Sequence, residues 1–425
     1  MTWTYSQFGE RLSGPSGINE LMRDLGAAMS GGRDVLMLGG GNPAHLPEVE
    51  AVWRSRWREI YEQDDQLERT LGNYDGPQGH PPFIEALAES LVREYGWDIR
   101  PENIAVVNGS QNAFFYLFNM LAGAGPEERH KHIALPLSPE YIGYADQPVF
   151  PGVFRSTPPL VEMVGDRFFK YHIDFNRLQL DASTAALCVS RPTNPTGNVL
   201  TNEEIEQLEA LAARHHVPLI IDNAYGAPFP DILFKDIRPV WSEHTVLVMS
   251  LSKLGLPGTR TGIILAREEL IESIAAMNAV VGLANGNIGQ VIATPLLRDG
   301  RLYDLSRDVI RPYYERKSRQ AIQWITEALD PALPYRIHVS EGALFLWLWL
   351  DGLPITAEIL YQRLKARGVL VIPGHYFFYG LEEEHPHQHQ CLRISYAMSE
   401  DVVQRGVAIL AEEVARAYAG AGAMT

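Results

Sequence analysis

Between residues 104 and 266 the chain alternates short apolar runs, many of them β-branched, with amphipathic stretches of helical period. Residues 104–107, 133–137, 187–190, 217–221, 245–249 and 262–266 read as strands that are apolar on both faces. Such strands are buried only in a sheet covered on both sides. Helical patterns fall between them, at 113–121 and again from Thr201-Asn202-Glu203-Glu204 through His215. The latter opens with a capping box, in which the Thr hydroxyl and the Glu carboxylate each satisfy an exposed backbone N–H. Strand and helix in regular alternation predict an α/β fold with a mostly parallel, doubly wound sheet of at least six strands.

Beyond about residue 300 the rhythm changes to long helices rich in Arg and Glu, then to strand-like segments at 342–350 and 391–395. This reads as a smaller α+β unit. The segment up to Gly39 has no strand partner nearby in sequence and is expected to pack on the same unit. The expected division is a large domain at 45–300 and a small domain made of 1–44 and 301–425, which 425 residues readily accommodate.

Composition narrows the function classes. With 46% hydrophobic and 21% charged residues the chain is a soluble globular protein, and its net charge of −16 argues against a nucleic-acid surface, which needs clustered Lys and Arg. The only cysteines, Cys188 and Cys391, lie in apolar runs and read as buried thiols in a reducing cytoplasm. No basic, apolar leader opens the sequence, and the richest apolar stretch, 274–297, is broken by Asn278, Asn285, Asn287 and Gln290 into helix and loop. No membrane is expected as a partner.

Polar residues gather at the predicted strand ends, where open α/β sheets place their chemistry. Lys253 lies just beyond one end, in Ser250-Leu-Ser-Lys-Leu-Gly-Leu-Pro-Gly-Thr-Arg260. A lysine there gains nucleophilicity if burial or a cation lowers its pKa, and Ser250, Ser252, the glycines and Arg260 suit a phosphate. A second anion site is offered by Gly109-Ser110-Gln111, between a strand and a helix N-terminus. Asp222 ends an all-apolar strand, where a carboxylate is costly without a cationic partner. Tyr225 and Asn194 could donate to a ring oxygen, although a tyrosine after a strand is more often packing and an asparagine between prolines more often a turn former. Tyr141 could stack on a flat ring, with Tyr144 a less favoured candidate. Arg393 is a charge inside the apolar run Cys391-Leu-Arg-Ile-Ser395 and asks for a carboxylate, structural or substrate. His385, His387 and His389 read as a solvated loop and not a metal site, and Phe114, Phe115 and Phe118 as core.

These motifs, together with Asn73-Tyr74-Asp75-Gly76-Pro77-Gln78-Gly79, Pro139-Glu140-Tyr141 and Pro192-Thr193-Asn194-Pro195-Thr196-Gly197, occur in an order that resembles the fold-type I, aspartate-aminotransferase-like family of pyridoxal 5'-phosphate enzymes over nearly the whole chain. The resemblance implies that Lys253 carries the cofactor and shuttles a proton, Asp222 holds its ring nitrogen, and Tyr225 and Asn194 hold its ring oxygen. Ser110, Gln111, Ser250, Ser252 and Arg260 would surround its phosphate, and Tyr141 would stack on its ring. Arg393, helped by the backbone at Gly40, would clamp a substrate carboxylate. It further implies a homodimer in which Tyr74 reaches the partner's site, and substrates that are an L-amino acid and a 2-oxo acid. Ser13-Gly14-Pro15-Ser16-Gly17-Ile18, Gly39-Gly40-Gly41-Asn42-Pro43 and Asp222-Asn223-Ala224-Tyr225-Gly226 are similar to the branch that exchanges valine with pyruvate. The same framework also supports C–S β-elimination, or ligand sensing by a regulator that carries an added DNA-binding domain.

Overall fold

The computed structural model describes residues 3–30, 35–125 and 130–422. Its central sheet has eight strands. Thr245–Ser250, Leu219–Asp222, Thr184–Ser190 and His130–Leu135 run parallel as neighbours. Thr261–Leu265 lies antiparallel to Thr245–Ser250 and to Ile104–Asn108 on its other side. Phe154–Ser156 and the two-residue Gly123–Ala124 flank His130–Leu135.

The apolar runs form strands here because both of their faces find a core. Ile104 and Val106, Leu187 and Val189, and Leu247 and Met249 point into one cluster with Phe83, Leu87 and Leu208. Their alternates Ala105 and Val107, Ala186 and Cys188, and Val246 and Val248 point into the other with Phe114, Phe118 and Ile274. Period-two side chains thus fill two layers at once. Phe114 and Phe118 are core and Phe115 packs against it, as the helical spacing predicts. The helix Asn202–His215 starts on the expected capping box: Thr201 Oγ1 accepts from the Glu204 N–H at 3.1 Å and Glu204 accepts from the Thr201 N–H at 2.8 Å.

A second sheet of six strands has the order Ile372–Pro373, Cys391–Ser395, Phe345–Leu350, Tyr335–His338, Phe168–His172, Leu160–Val164. Its last two strands come from inside 45–300, so the chain supplies this sheet from two separated stretches. Two-residue pairing of Leu36–Met37 with Val369–Leu370 brings the N-terminal segment to the C-terminal part of the chain. The helix Gly17–Ser30 follows it there, with Asp24 accepting from Tyr361 Oη at 2.5 Å and Glu20 from Tyr376 Oη at 2.6 Å. Residues 274–297 are split at Asn285 and Asn287, between the helices Glu268–Gly282 and Ile288–Arg298, whereas Asn278 and Gln290 lie inside those helices and do not break them. No helix among the described residues is long and apolar enough to cross a membrane.

One expectation is corrected. His387 does not lie in solvent but is 4% exposed, with Nδ1 2.6 Å from Tyr171 Oη, and His385 stacks on Phe378 at 5.4 Å. The short helix His387–Gln390 folds this end of the loop back under the second sheet, leaving residues 382–384 outside. No group of three or more His, Cys, Asp or Glu suited to a metal occurs among the described residues. His338, fully buried nearby, accepts from the Tyr171 N–H at its Nε2, 3.1 Å away. Burial holds both imidazoles down to about 3 from the ordinary 6.5. The unfolded chain therefore takes up protons that the folded one refuses. Stability is whole above pH 6.5 and declines as pH falls from 6.5 towards 3, by roughly 2 kcal/mol per histidine at pH 5. Thermal melts at pH 7 and pH 5 check this: a His387→Gln variant should lose less of its stability across that interval than the wild type.

Candidate active site

The parallel strands deliver their polar ends to one place. In register, Asp222 is the Cα partner of Ser190 on one side and Val248 on the other, and the chain continues from these strands to Asn194, Tyr225 and Lys253. Asp222 is 7% exposed and accepts from Tyr144 Oη at 2.5 Å and from the Ala224 N–H at 3.0 Å. Burial pushes its carboxyl up to about 6 against these donors and the nearby Lys253 charge.

Lys253 occupies the turn beyond Thr245–Ser250. Its Nζ donates to the Gly41 carbonyl at 2.5 Å and lies 5.2 Å from the centre of the Tyr225 ring. The residue keeps a partly open face, but its amine end is enclosed by protein. Burial first, then the positive charges of Arg393 and Arg260, lower it to about 8 from 10.5, while Asp222 opposes them. An amine in this range is about one-tenth unprotonated at pH 7, several hundred times more than an ordinary lysine, and the free amine is the state a nucleophile or base needs.

Arg393 is 2% exposed on Cys391–Ser395, between Trp347 and Ile372 of the neighbouring strands. It pairs with no carboxylate among the described residues. Nη1 donates to Asn194 Oδ1 and Nη2 to the Gly39 carbonyl, each at 2.7 Å, and the guanidinium lies 4.2 Å from the Phe345 ring centre. Its Nε is buried with no hydrogen-bond partner. Desolvation pulls the group down to about 10. A buried cation held only by neutral oxygens, with a donor to spare, fits an anionic ligand. Asn194, with its oxygen taken by Arg393, keeps its amide nitrogen as a donor.

The two predicted phosphate half-sites meet. Gly109, at φ +84°, caps the helix Ser110–Leu121, and an added Cβ there would stand 2.0 Å from Arg260 Nη2. A Cβ on Gly262 would stand 2.6 Å from Ser110 N. The glycines are thus what lets the helix N-terminus, with its unsatisfied N–H groups, close up against Arg260. Ser250 Oγ and Ser252 Oγ are 2.8 Å apart beside them. The Gln111 side chain turns away to the Gly143 carbonyl at 2.9 Å, which leaves its backbone for an anion.

Tyr141 meets Tyr144 edge to face at 5.3 Å, and its carbonyl accepts from Tyr379 Oη at 2.9 Å. Tyr74 stays outside the cluster, 83% exposed. Four residues of the site were not legible in the sequence. Tyr144, weighed as a stacking ring, is the Asp222 donor. The glycine carbonyls that bind Arg393 and Lys253 belong to Gly39 and Gly41, on either side of Gly40. Glu140, 1% exposed, accepts from the Ser190 N–H at 2.8 Å and from Ser190 Oγ at 2.6 Å. A carboxylate beside Pro139 in a loop gave no sign of burial.

The family model for aminotransferase class I and II matches residues 33–410. The chain belongs to the class I and II aminotransferases. This aminotransferase is 48% identical to valine–pyruvate aminotransferase of Escherichia coli K12 over 98% of its own length and 99% of the relative's. The crystal structure of valine–pyruvate aminotransferase from Salmonella typhimurium LT2 superposes with a TM-score of 0.87 at 48% identity, covering 95% of this chain and 99% of that one. Aspartate aminotransferase of Thermus thermophilus solved with maleate shares the fold, at TM-score 0.77 and 24% identity over 97% and 100%. The aminotransferase therefore has the fold of the fold-type I pyridoxal-phosphate transferases.

Proposed function

We propose that this aminotransferase uses pyridoxal 5'-phosphate to exchange the amino group of L-valine with pyruvate, giving 3-methyl-2-oxobutanoate and L-alanine. The observation that carries the substrate pair is the near-full-length 48% identity to the Escherichia coli valine–pyruvate enzyme. The residues present fit the cofactor. The glycine-lined point between Ser110 and Arg260 suits its phosphate, Asp222 at the strand end suits a protonated ring nitrogen, and the spare Arg393 donor suits the substrate carboxylate.

Bound through Lys253, the cofactor supplies an electron sink for the pair left when the substrate Cα loses its proton. The chain's own groups do the rest. Arg393, steered by Asn194 and the Gly39 carbonyl, fixes the α-carboxylate and so the direction of the Cα–H bond. Lys253, freed when the substrate amine takes its place and already low in pKa, would take that proton and deliver it to the carbon on the far side of the shared nitrogen, two bonds away. Asp222, kept ionised by the Tyr144 and Ala224 donors, holds positive charge on the ring nitrogen. Tyr225 and the Asn194 amide would donate to the ring oxygen, and the Tyr141 ring would cover one face.

The working unit we propose is a cytoplasmic homodimer. Tyr74 would reach the partner's site from a loop that Asn287 ties at the Asn73 carbonyl, 3.1 Å away, and Asn278 at the Pro77 carbonyl, 2.9 Å away. Leu71, Val280, Val281 and Leu283, all exposed, lie on the elements so joined and would offer apolar side chains to a second copy. A half-reaction screen tests the substrate assignment: L-valine and L-alanine should bleach the cofactor's visible absorbance, and L-aspartate should not. Bleaching by aspartate alone, or pyruvate and ammonia from cystathionine without an acceptor, would sink it.

A further inference from the structure

Glu140 is the one acidic group at the site for which the mechanism has no use. It sits between two elements that matter, on the loop that presents Tyr141 and against the strand Thr184–Ser190. Oε1 accepts from the Ser190 N–H, Oε2 accepts from Ser190 Oγ, and Oε2 also takes the Tyr141 N–H at 3.2 Å. Its own N–H donates to the Phe377 carbonyl at 3.0 Å. Ser190 is the register partner of Asp222. One carboxyl group therefore ties the backbone of the stacking ring to the strand beside the ring-nitrogen partner.

No cation accompanies it. Among the described residues Glu140 makes no ion pair, and it is 1% exposed. A carboxylate so placed is costly, whereas a carboxylic acid still accepts from the Ser190 N–H at Oε1, gives its own proton to Ser190 Oγ while Oε2 keeps a lone pair for the Tyr141 N–H, and adds no second negative charge next to Asp222. Burial pushes the group up to about 8, and Asp222 adds to that push.

We propose that Glu140 is a positioning residue of the transamination site: as an uncharged acid bridging Ser190 and the Tyr141 backbone, it sets the gap between the Tyr141 ring and Asp222 in which the cofactor ring is held. The proposal rests on the pyridoxal-phosphate reading above. Its consequence is that the carbonyl oxygen and hydrogen-bonding shape of Glu140 matter and its charge does not.

Three measurements on the holoenzyme test this: the rate of cofactor release, the visible circular dichroism of the bound cofactor, and the melting temperature of the apoprotein. Glu140→Ala leaves the Ser190 and Tyr141 donors without an acceptor and should speed release about tenfold and weaken the dichroic band. Glu140→Gln keeps an oxygen for the Ser190 N–H and an NH2 for its hydroxyl, gives up only the 3.2 Å acceptor of the Tyr141 N–H, and should be impaired by no more than about threefold. A Glu140→Ala holoenzyme with wild-type release and dichroism overturns the proposal, as does a Glu140→Gln enzyme impaired as badly as the alanine variant. If the alanine variant does not fold, Ser190→Ala takes its place: faster release supports the bridge, and unchanged release overturns it. Should the wild type itself bind no cofactor, the proposed function fails first, and separately.

Discussion

Lys253→Ala should abolish transamination, with turnover falling by about four orders of magnitude or more, and should remove the absorbance band of the lysine-linked cofactor. The expected loss is this large because the same amine has two duties. It is the covalent anchor displaced by the substrate, and it is the base that moves the proton from Cα. The structure equips it for both: the Gly41 carbonyl aims Nζ, while burial, Arg393 and Arg260 bring it down to about 8. The other described lysines are all engaged elsewhere: Lys170 and Lys235 with Glu341, Lys131 with the Ala182 carbonyl, Lys317 with the Met398 carbonyl and Lys365 with Asp24. The variant should still take up cofactor without the covalent link, since Arg260, Ser110 and Asp222 are untouched. Single-turnover mixing of the variant with L-valine reads the result directly. Transamination at the wild-type rate would refute the assignment of Lys253.

How much of this was open to reading in the sequence depends on the range of the physics involved. Strands such as Thr245–Ser250 were legible because a run apolar on both faces has one comfortable place, the middle of a covered sheet. Arg393 was legible because a charge in such a run must face something charged or polar. Thr201 and Glu204 were legible because a capping box is closed within four residues. Tyr144 was not, because its partner Asp222 lies 78 positions away on another strand, and only the folded sheet brings them within 2.5 Å. His387 differs from its expected place for the same reason: its neighbours Tyr171 and Trp349 come from strands far along the chain, and a polar loop carries no sign of which end tucks in. The contribution of the Gly39 and Gly41 carbonyls was hidden too, since a backbone oxygen has no signature in sequence.

Asp222→Asn should lower kcat by about two to three orders of magnitude while changing KM far less. Asparagine fits the same space and can still accept from the Ala224 N–H, so the fold should tolerate it. What it cannot do is carry the negative charge that stabilises a protonated ring nitrogen. That charge is expensive in this place: burial pushes the acid up to about 6 even with Tyr144 and Ala224 donating to it. A raised carboxyl pKa means that the ionised form is lost as pH falls through about 6, so the wild-type apoprotein should capture the cofactor less tightly at pH 5 than at pH 7. The asparagine variant has nothing to titrate there and should lose that step while binding more weakly at pH 7. Tyr144→Phe removes the 2.5 Å donor and should move the step to higher pH, because a carboxylate with fewer donors protonates sooner. Cofactor titrations of the three apoproteins across pH 5 to 8 separate these outcomes. A step that persists near pH 6 in the asparagine variant would assign it to another group, and wild-type kcat in that variant would remove Asp222 from the chemistry altogether.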